Sequence, residues 1–188
     1  MSAEKIIGVD FGTSTSVVRV KRYQDGKPVG GRLDKMEVRF SNNAMVPTAV
    51  QRLPSGESVY FGYDAEIPHK NLNTQSHFNF KMELESPDPA VRERARDLTR
   101  DYFAYLGREY LAQRDGGHLG EMDNTERTIV SYPVKWDQDA RDFLLQTARD
   151  AGFPNVEGLD EARAAIQAVT VQSAHMLRQK GISKPVCR

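Results

Sequence analysis

The sequence contains almost no cysteine. Its 188 residues include a single one, Cys187, which cannot form a disulfide within the chain. No Cys-x-x-Cys pair or Cys/His cluster is present to bind structural zinc. No apolar run approaches the roughly 18 residues that a membrane-spanning helix needs. We therefore expect a protein of the reducing cytosol, without a zinc site or a membrane span.

The sequence also lacks an excess of charge of either sign. It has 26 Lys and Arg residues against 26 Asp and Glu residues, so the formal net charge is zero. Balanced charge creates no long-range field that attracts a polyanion, and we expect neither nucleic-acid binding nor membrane association. Any anion site must be local. With 39% hydrophobic residues, the chain has enough apolar side chains to form a core.

The apolar patterning predicts an α/β fold with one or two units. Residues 6–9 and 16–20 are β-like and flank a short Gly-containing segment, which is typical of a β-hairpin. Further β-like runs predict an antiparallel meander, at 37–40, 48–50 and 59–61. A strand at 128–130 follows a long helix and should join the sheet in parallel.

Three helices are predicted from capping residues and apolar spacing. The first has Asp88 as its N-cap and Pro89 at its first position, and it ends at Gly116. The second opens at Trp136-Asp137 and has Gly152 as its C-cap. The third should run over about 160–180. The residues expected to face the core are Val91, Ala95, Leu98, Tyr102, Leu106 and Tyr110 in the first helix and Ala140, Phe143, Leu144 and Ala148 in the second.

The segment with the most chemical information runs over residues 8–16. Asp10 leaves a buried strand, Gly12 allows a backbone to approach a ligand closely, and hydroxyl side chains follow at 13–16. Such a turn can bind an anion, and the carboxylate is suited to holding Mg²⁺ through its waters. The alternative is an ordinary hairpin turn, and the segment alone leaves both interpretations open. P-loop and Rossmann motifs are absent from the sequence.

The segment at 7–16 resembles the first phosphate-binding hairpin of the seventy-kilodalton heat-shock chaperones (DnaK type), in the actin and sugar-kinase ATPase superfamily. Other segments are similar to that family's motifs and follow in the same order. They are 43–48 (its Thr-Thr-Pro-Ser turn), 61–65 (Val-Gly-x-x-Ala), 78–81 (the segment ending in the catalytic lysine), 129–136 with Arg141 and 148–153 (Val-Pro-Ala-Tyr-Phe, Gln-Arg and Ala-Gly-Leu), and 160–165 (Asn-Glu-Pro-Thr-Ala-Ala). The resemblance covers essentially the whole chain.

The resemblance implies a nucleotide site that uses ATP or ADP with magnesium. It implies that Asp10 holds Mg²⁺ through water and takes part in catalysis. It also implies that the turn contacts the β- and γ-phosphates through Gly12, Thr13, Ser14 and Thr15. These roles come from the similarity to the family and are expectations for this chain.

The resemblance also implies roles for four residues outside the hairpin. Lys81 and Glu161 correspond to the catalytic pair that positions the attacking water and the transferred phosphoryl group. Pro133 and Arg141 correspond to an interdomain switch that relays the nucleotide state. Each residue type has a simpler explanation: a lysine lying over aromatic rings at the surface, an acid at a helix start, or a proline that ends a strand.

The implied architecture is a ribonuclease-H-like (actin-like ATPase) core at 1–45 and 128–188, with an inserted α/β subdomain at 46–127. We expect the N-terminal part of the nucleotide-binding domain of an ATP-dependent, chaperone-like ATPase, ending before the second phosphate hairpin and inactive by itself. The implied partners are the missing second lobe and, through the parent protein, cochaperones and unfolded peptide clients.

Two alternatives stay open: an actin-like scaffold or filament ATPase lobe, and a catalytically inactive interaction module. The sequence departs from the family at Ala162 and Arg163, where the family has Pro-Thr, and it matches poorly over 21–42.

Overall fold

The computed structural model describes residues 3–29, 36–69, 72–120 and 125–164. They form a mixed α/β fold with two sheets. The strands are β1 (Ala3–Phe11), β2 (Thr15–Gln24), β3 (Lys27–Pro28), β4 (Met36–Glu37), β5 (Met45–Pro47), β6 (Ala49–Arg52), β7 (Ser58–Phe61), β8 (Gln75–Phe78), β9 (Glu126–Tyr132) and β10 (Val156–Asp160). The helices are α1 (Tyr63–Glu66), α2 (Phe80–Glu83), α3 (Pro89–Asp115) and α4 (Gln138–Asp150).

The larger sheet has the strand order β10-β9-β1-β2-β3, and β4 and β5 also pair with β2. β1 and β2 form the predicted antiparallel hairpin, in which Asp10 lies opposite Val17. β9 runs parallel to β1, as predicted for residues 128–130. β10 extends the parallel part beyond β9. Strand β10 was not predicted, because its five residues are mixed in polarity and show no clear strand pattern.

The second sheet has the order β7-β6-β8 and is entirely antiparallel. The predicted single meander is therefore wrong in its connections, since β4 and β5 pair with β2 while β6 and β7 belong to this sheet. The run at 37–40 is mostly outside regular strands, and Phe40 only bridges to Asn43. Strand β8 was also missed, because its polar sequence carries no apolar alternation. Which strands pair is decided by nonlocal contacts that short windows do not contain.

The helix boundaries follow the predicted caps closely. Asp88 accepts a hydrogen bond from the Ala90 backbone N–H at 2.8 Å, and α3 begins at Pro89. Asp137 caps α4 through the Ala140 backbone N–H, also at 2.8 Å. The C-cap of α4 is Ala151, so Gly152, which was predicted as the C-cap and has a positive φ of 91°, lies one residue beyond it. Among the described residues, no helix is both long enough and apolar enough to cross a membrane.

The third predicted helix lies largely outside the described residues. Residues 161–164 are helical, and Asp160 accepts a hydrogen bond from the Arg163 backbone N–H at 2.8 Å. The helix therefore begins at the predicted position, and Asp160 caps it. The remainder of the prediction, 165–180, falls beyond the described part of the chain.

One face of the larger sheet packs against α3 and α4, and Phe11 lies at the centre of this core. Its ring centroid is 5.2 Å from that of Phe103 and 6.1 Å from that of Tyr102, and all three side chains are fully buried. Because side chains alternate across a strand, Asp10 faces the opposite side of the sheet and is exposed. The same alternation therefore places an aromatic anchor and an accessible carboxylate next to each other in sequence.

Gly107 allows α3 to pass close to the end of α4. A Cβ atom added there would lie 2.0 Å from the backbone oxygen of Ala151, which is too short for any contact. We expect Gly107→Ala to force the two segments apart and to lower the free energy of unfolding by about 1–3 kcal/mol, measured by urea denaturation. Gly8→Ala is the control, because its nearest contact would be at 3.9 Å. Equal effects of the two substitutions would contradict this packing.

Tyrosines along α3 make stability sensitive to alkaline pH. Burial, with the nearby carboxylates, raises the pKa of Tyr105 and of Tyr110 to about 12, and burial raises the pKa of Tyr102 as well. The unfolded chain loses its tyrosine protons near pH 10, so above that pH it binds fewer protons than the folded chain. We therefore expect the free energy of unfolding to fall as the pH rises from about 10 to about 12. Tyrosinate absorbance should show delayed ionisation that disappears on unfolding, and a single transition near pH 10 in the folded protein would contradict this.

Candidate functional site

The candidate site lies at the carboxyl edge of the parallel strands. β1, β9 and β10 run in the same direction, so their ends at Phe11, Tyr132 and Asp160 lie along one edge of the sheet. In open α/β sheets, ligands bind outside the carboxyl ends of the strands. Two of the residues predicted to be functional, Asp10 and Glu161, are found at this edge.

Asp10 occupies the next-to-last position of β1, and its carboxylate is held by a neighbour on β9. The Ser131 hydroxyl donates a hydrogen bond to Asp10 Oδ1 at 3.1 Å. The register that pairs Val9 with Val130 brings these two side chains onto the same face of adjacent strands. Sequence reasoning missed Ser131, because only the strand register relates it to Asp10.

The turn between β1 and β2 has a shape that only glycine permits at position 12. A Cβ atom on Gly12 would lie 2.2 Å from the Thr15 carbonyl oxygen. Ser14 and Thr15 are exposed, and Thr13 is partly exposed with its hydroxyl 3.7 Å from the sulfur of Met82. The turn therefore presents hydroxyl side chains to solvent at the same edge as Asp10.

Lys81 reaches this edge from α2, which belongs to a distant part of the sequence. Its Nζ lies 2.7 Å from Glu161 Oε1, and the residue is only 4% exposed. The ammonium also lies over the rings of Phe11, at 5.6 Å, and Trp136, at 5.8 Å. Lys81 does contact aromatic rings, as the simpler explanation has it, but it is buried and ion-paired and is not a surface lysine.

Glu161 is the first residue of the helical segment at 161–164, and its side chain is 44% exposed. This position favours an acid because the N-terminal end of a helix carries partial positive charge. The same carboxylate pairs with Lys81, so the helix-start explanation and the ion pair are both satisfied. The geometry brings Lys81 and Glu161 together, and their catalytic roles stay predictions.

A cavity of about 530 Å³ opens on the face of the sheet opposite the main core. Asp10, Ser131 and Glu161 line it, together with apolar side chains that include Ile129 and Leu159. The two carboxylates predicted to act on the nucleotide therefore border one space.

Pro133, one of the predicted switch residues, lies in the β9–α4 connection, and Arg141, the other, lies in α4. Pro133 directly follows β9, as expected of a residue that ends a strand. The Arg141 guanidinium donates to the Val134 carbonyl oxygen at 2.9 Å and lies over the ring of Tyr132, 5.2 Å from its centroid. Arg141 thus ties α4 to the connection that contains Pro133, and the relay role stays a prediction.

The site fits a magnesium ion held mainly by water and phosphate. Within the described ranges, no group of at least three His, Cys, Asp or Glu residues is arranged to hold a metal directly. Mg²⁺ usually keeps several waters and needs one or two carboxylates together with substrate phosphates. The exposed Asp10 carboxylate, oriented by Ser131, meets that requirement, and the hydroxyls of the turn suit phosphate oxygens.

Comparison with known proteins adds no family assignment. No family model matches the chain, and no curated protein matches it either.

The close approach at Gly12 gives a test of the turn's shape. We expect Gly12→Ala to displace the Thr15 backbone and lower the free energy of unfolding by about 1–3 kcal/mol, because the added methyl group cannot be accommodated. Chemical denaturation measures this change. Ser14→Ala, at an exposed position of the same turn, should change stability by no more than about 0.5 kcal/mol. A Gly12→Ala variant as stable as Ser14→Ala would show that the turn is not tight.

Proposed function

We propose that the chain is the N-terminal part of the nucleotide-binding domain of an ATP-dependent, chaperone-like ATPase. One observation carries the proposal: Lys81 and Glu161 are 80 residues apart in sequence, yet their charged atoms lie 2.7 Å apart. They meet at the sheet edge where Asp10 and the hydroxyl-rich turn also lie. An ammonium, a carboxylate and an anion-binding turn at one edge are the groups that phosphoryl transfer needs.

Lys81 and Glu161 have complementary tasks in this proposal. A lysine ammonium has three N–H donors, and among the described residues Glu161 accepts from one of them. The others are suited to the negative charge of the γ-phosphate. The partly exposed Glu161 carboxylate orients a water whose oxygen forms a bond to the γ-phosphorus, while the bond to the β-bridging oxygen breaks to give ADP and phosphate.

The hairpin binds and orients the nucleotide. Thr13, Ser14 and Thr15 contact the β- and γ-phosphates with hydroxyl and backbone groups, and Gly12 allows the backbone to come close. Asp10 would hold Mg²⁺ through its waters, and the ion would supply positive charge to offset that of the phosphates. The buried Lys81 ammonium lies over the rings of Phe11 and Trp136, and this packing limits its motion and favours a fixed position over solvation by water.

The fold supports the finer architectural inference. A hairpin flanked on one side by two parallel strands, in the order β10-β9-β1-β2, is compatible with a ribonuclease-H-like core of an actin-like ATPase. The antiparallel sheet β7-β6-β8 lies within the segment predicted as an inserted subdomain. In this proposal a second lobe supplies the remaining nucleotide contacts, and cochaperones and unfolded peptide clients act through the parent protein.

The test is ATP hydrolysis by the protein that the complete gene encodes. We expect Lys81→Met, which keeps the apolar stem and removes the ammonium, to lower kcat by at least about 100-fold, because charge developing on the phosphates loses its counterion. Steady-state phosphate release gives kcat, and circular dichroism confirms folding. Lys135→Met is the matched control, since Lys135 is exposed on the β9–α4 connection.

Other outcomes distinguish the alternatives. If the ATPase rate of the Lys81→Met and Asp10→Ala variants equals that of the wild type, the result would support an interaction module and overturn the proposal. Nucleotide-dependent filaments, detected by sedimentation, would favour the actin-like scaffold. Calorimetric titration of the 188-residue chain with ATP and Mg²⁺ measures what this part binds by itself.

A further inference from the structure

Thr48 lies at the point where the chain passes from the larger sheet to the smaller one, between β5 and β6. It is 1% exposed, although its side chain is polar. A buried hydroxyl needs partners, since an unsatisfied one costs free energy. Three of its partners lie in the β1–β2 turn or at the start of β2: Gly12, Ser14 and Ser16.

Two hydrogen bonds join Thr48 to this turn, and a third joins it to the start of β2. Its backbone N–H donates to the Ser14 carbonyl oxygen at 2.8 Å, and its hydroxyl donates to the Gly12 carbonyl oxygen at 2.9 Å. Its Oγ1 also lies 2.8 Å from the Ser16 hydroxyl oxygen. Because the single Thr48 hydroxyl proton is given to Gly12, Ser16 is the donor in the last bond. Thr48 therefore holds both sides of the turn.

These bonds have an electrostatic consequence for an anion. Carbonyl oxygens carry partial negative charge and repel phosphate, whereas N–H groups and hydroxyls attract it. Two carbonyls of the turn, those of Gly12 and Ser14, are engaged by Thr48 on the buried side. The exposed side chains of Ser14 and Thr15 are on the accessible side. The turn is thus held with two of its repulsive dipoles turned away from a bound anion.

The support for Thr48 is itself anchored in the core. The hydroxyl of the fully buried Tyr102 donates to the carbonyl oxygen of Pro47, the residue before Thr48, at 3.0 Å. Tyr102 lies on α3 and packs against Phe11, 6.1 Å between ring centroids. The position of Thr48 is therefore fixed by the main helix as well as by the turn.

We propose that Thr48 is a positioning residue, which holds the turn at Gly12–Thr15 in its phosphate-binding shape through its bonds to Gly12 and Ser14. The proposal rests on the proposed function for its ligand, a nucleoside di- or triphosphate with Mg²⁺. Thr48 does not touch the nucleotide. Thr48 affects the binding of phosphate groups specifically, because it fixes the orientation of the turn's dipoles.

The test compares Thr48→Val, which removes the hydroxyl at nearly constant shape, with Thr48→Ser, which keeps it. In the full gene product, we expect Thr48→Val to weaken binding of ADP with Mg²⁺ by about tenfold in calorimetry, and Thr48→Ser to restore it. Binding of adenosine, which has no phosphate, should be the same in all three proteins. Loss of ADP and adenosine affinity to the same extent, or of neither, would overturn the proposal.

Thr99→Val is the matched control for loss of a buried hydroxyl. Thr99 is fully buried on α3 and donates to the Ala95 carbonyl oxygen of its own helix at 2.7 Å. Its substitution should lower stability as Thr48→Val does, while leaving ADP affinity unchanged. A Thr99→Val variant that loses ADP affinity to the same extent would show that the effect of Thr48→Val is general destabilisation.

A second measurement needs no nucleotide. Backbone NMR order parameters at Gly12–Thr15 should be near the rigid value of about 0.85 in the wild type and in Thr48→Ser, and below about 0.6 in Thr48→Val. A turn that stays rigid in Thr48→Val would overturn the positioning role. If the wild type binds no nucleotide, the proposed function fails, and the order parameters still decide whether Thr48 holds the turn.

Discussion

The register of the β1–β2 hairpin is the constraint on which the rest of the structure depends. It pairs Phe11 with Ser16 and Asp10 with Val17, so Phe11 enters the core and Asp10 faces outward. A slip of one residue would exchange these faces, exposing the aromatic anchor and burying the carboxylate. The apolar contacts of Phe11 with α3 therefore hold the same register that places Asp10 at the sheet edge.

The site is assembled by packing more than by any single motif. α2 packs in the core through the buried Phe80, whose ring lies 6.2 Å from that of Phe11. The next residue, Lys81, then reaches across Phe11 and Trp136 to Glu161 at the end of β10. An ammonium buried to this extent requires a counterion and aromatic faces, because desolvation alone would disfavour its charge. The packing supplies both, so the same aromatic side chains fill the core and hold the ammonium of the candidate site.

Local signals predicted the parts of the fold that depend on local physics. Asp88, Asp137 and Asp160 each cap the helix that the sequence predicted, because capping is decided within a few residues. The hairpin followed from β-like runs flanking a Gly-containing turn. By contrast, β8 and β10 were missed, since both become strands only through pairing with distant segments. The predicted meander was divided between two sheets for the same reason.

The sequence by itself determined which residue types stand at the ends of the elements: a carboxylate and hydroxyls at the hairpin, an acid after a helix cap, and a lysine after two aromatics. Only the tertiary structure decided that Lys81 meets Glu161, that Ser131 orients Asp10 and that Thr48 holds the turn. Each of these contacts joins residues far apart in the chain. Their geometry depends on strand register and helix packing, which are set by the whole core and are not encoded in any short segment.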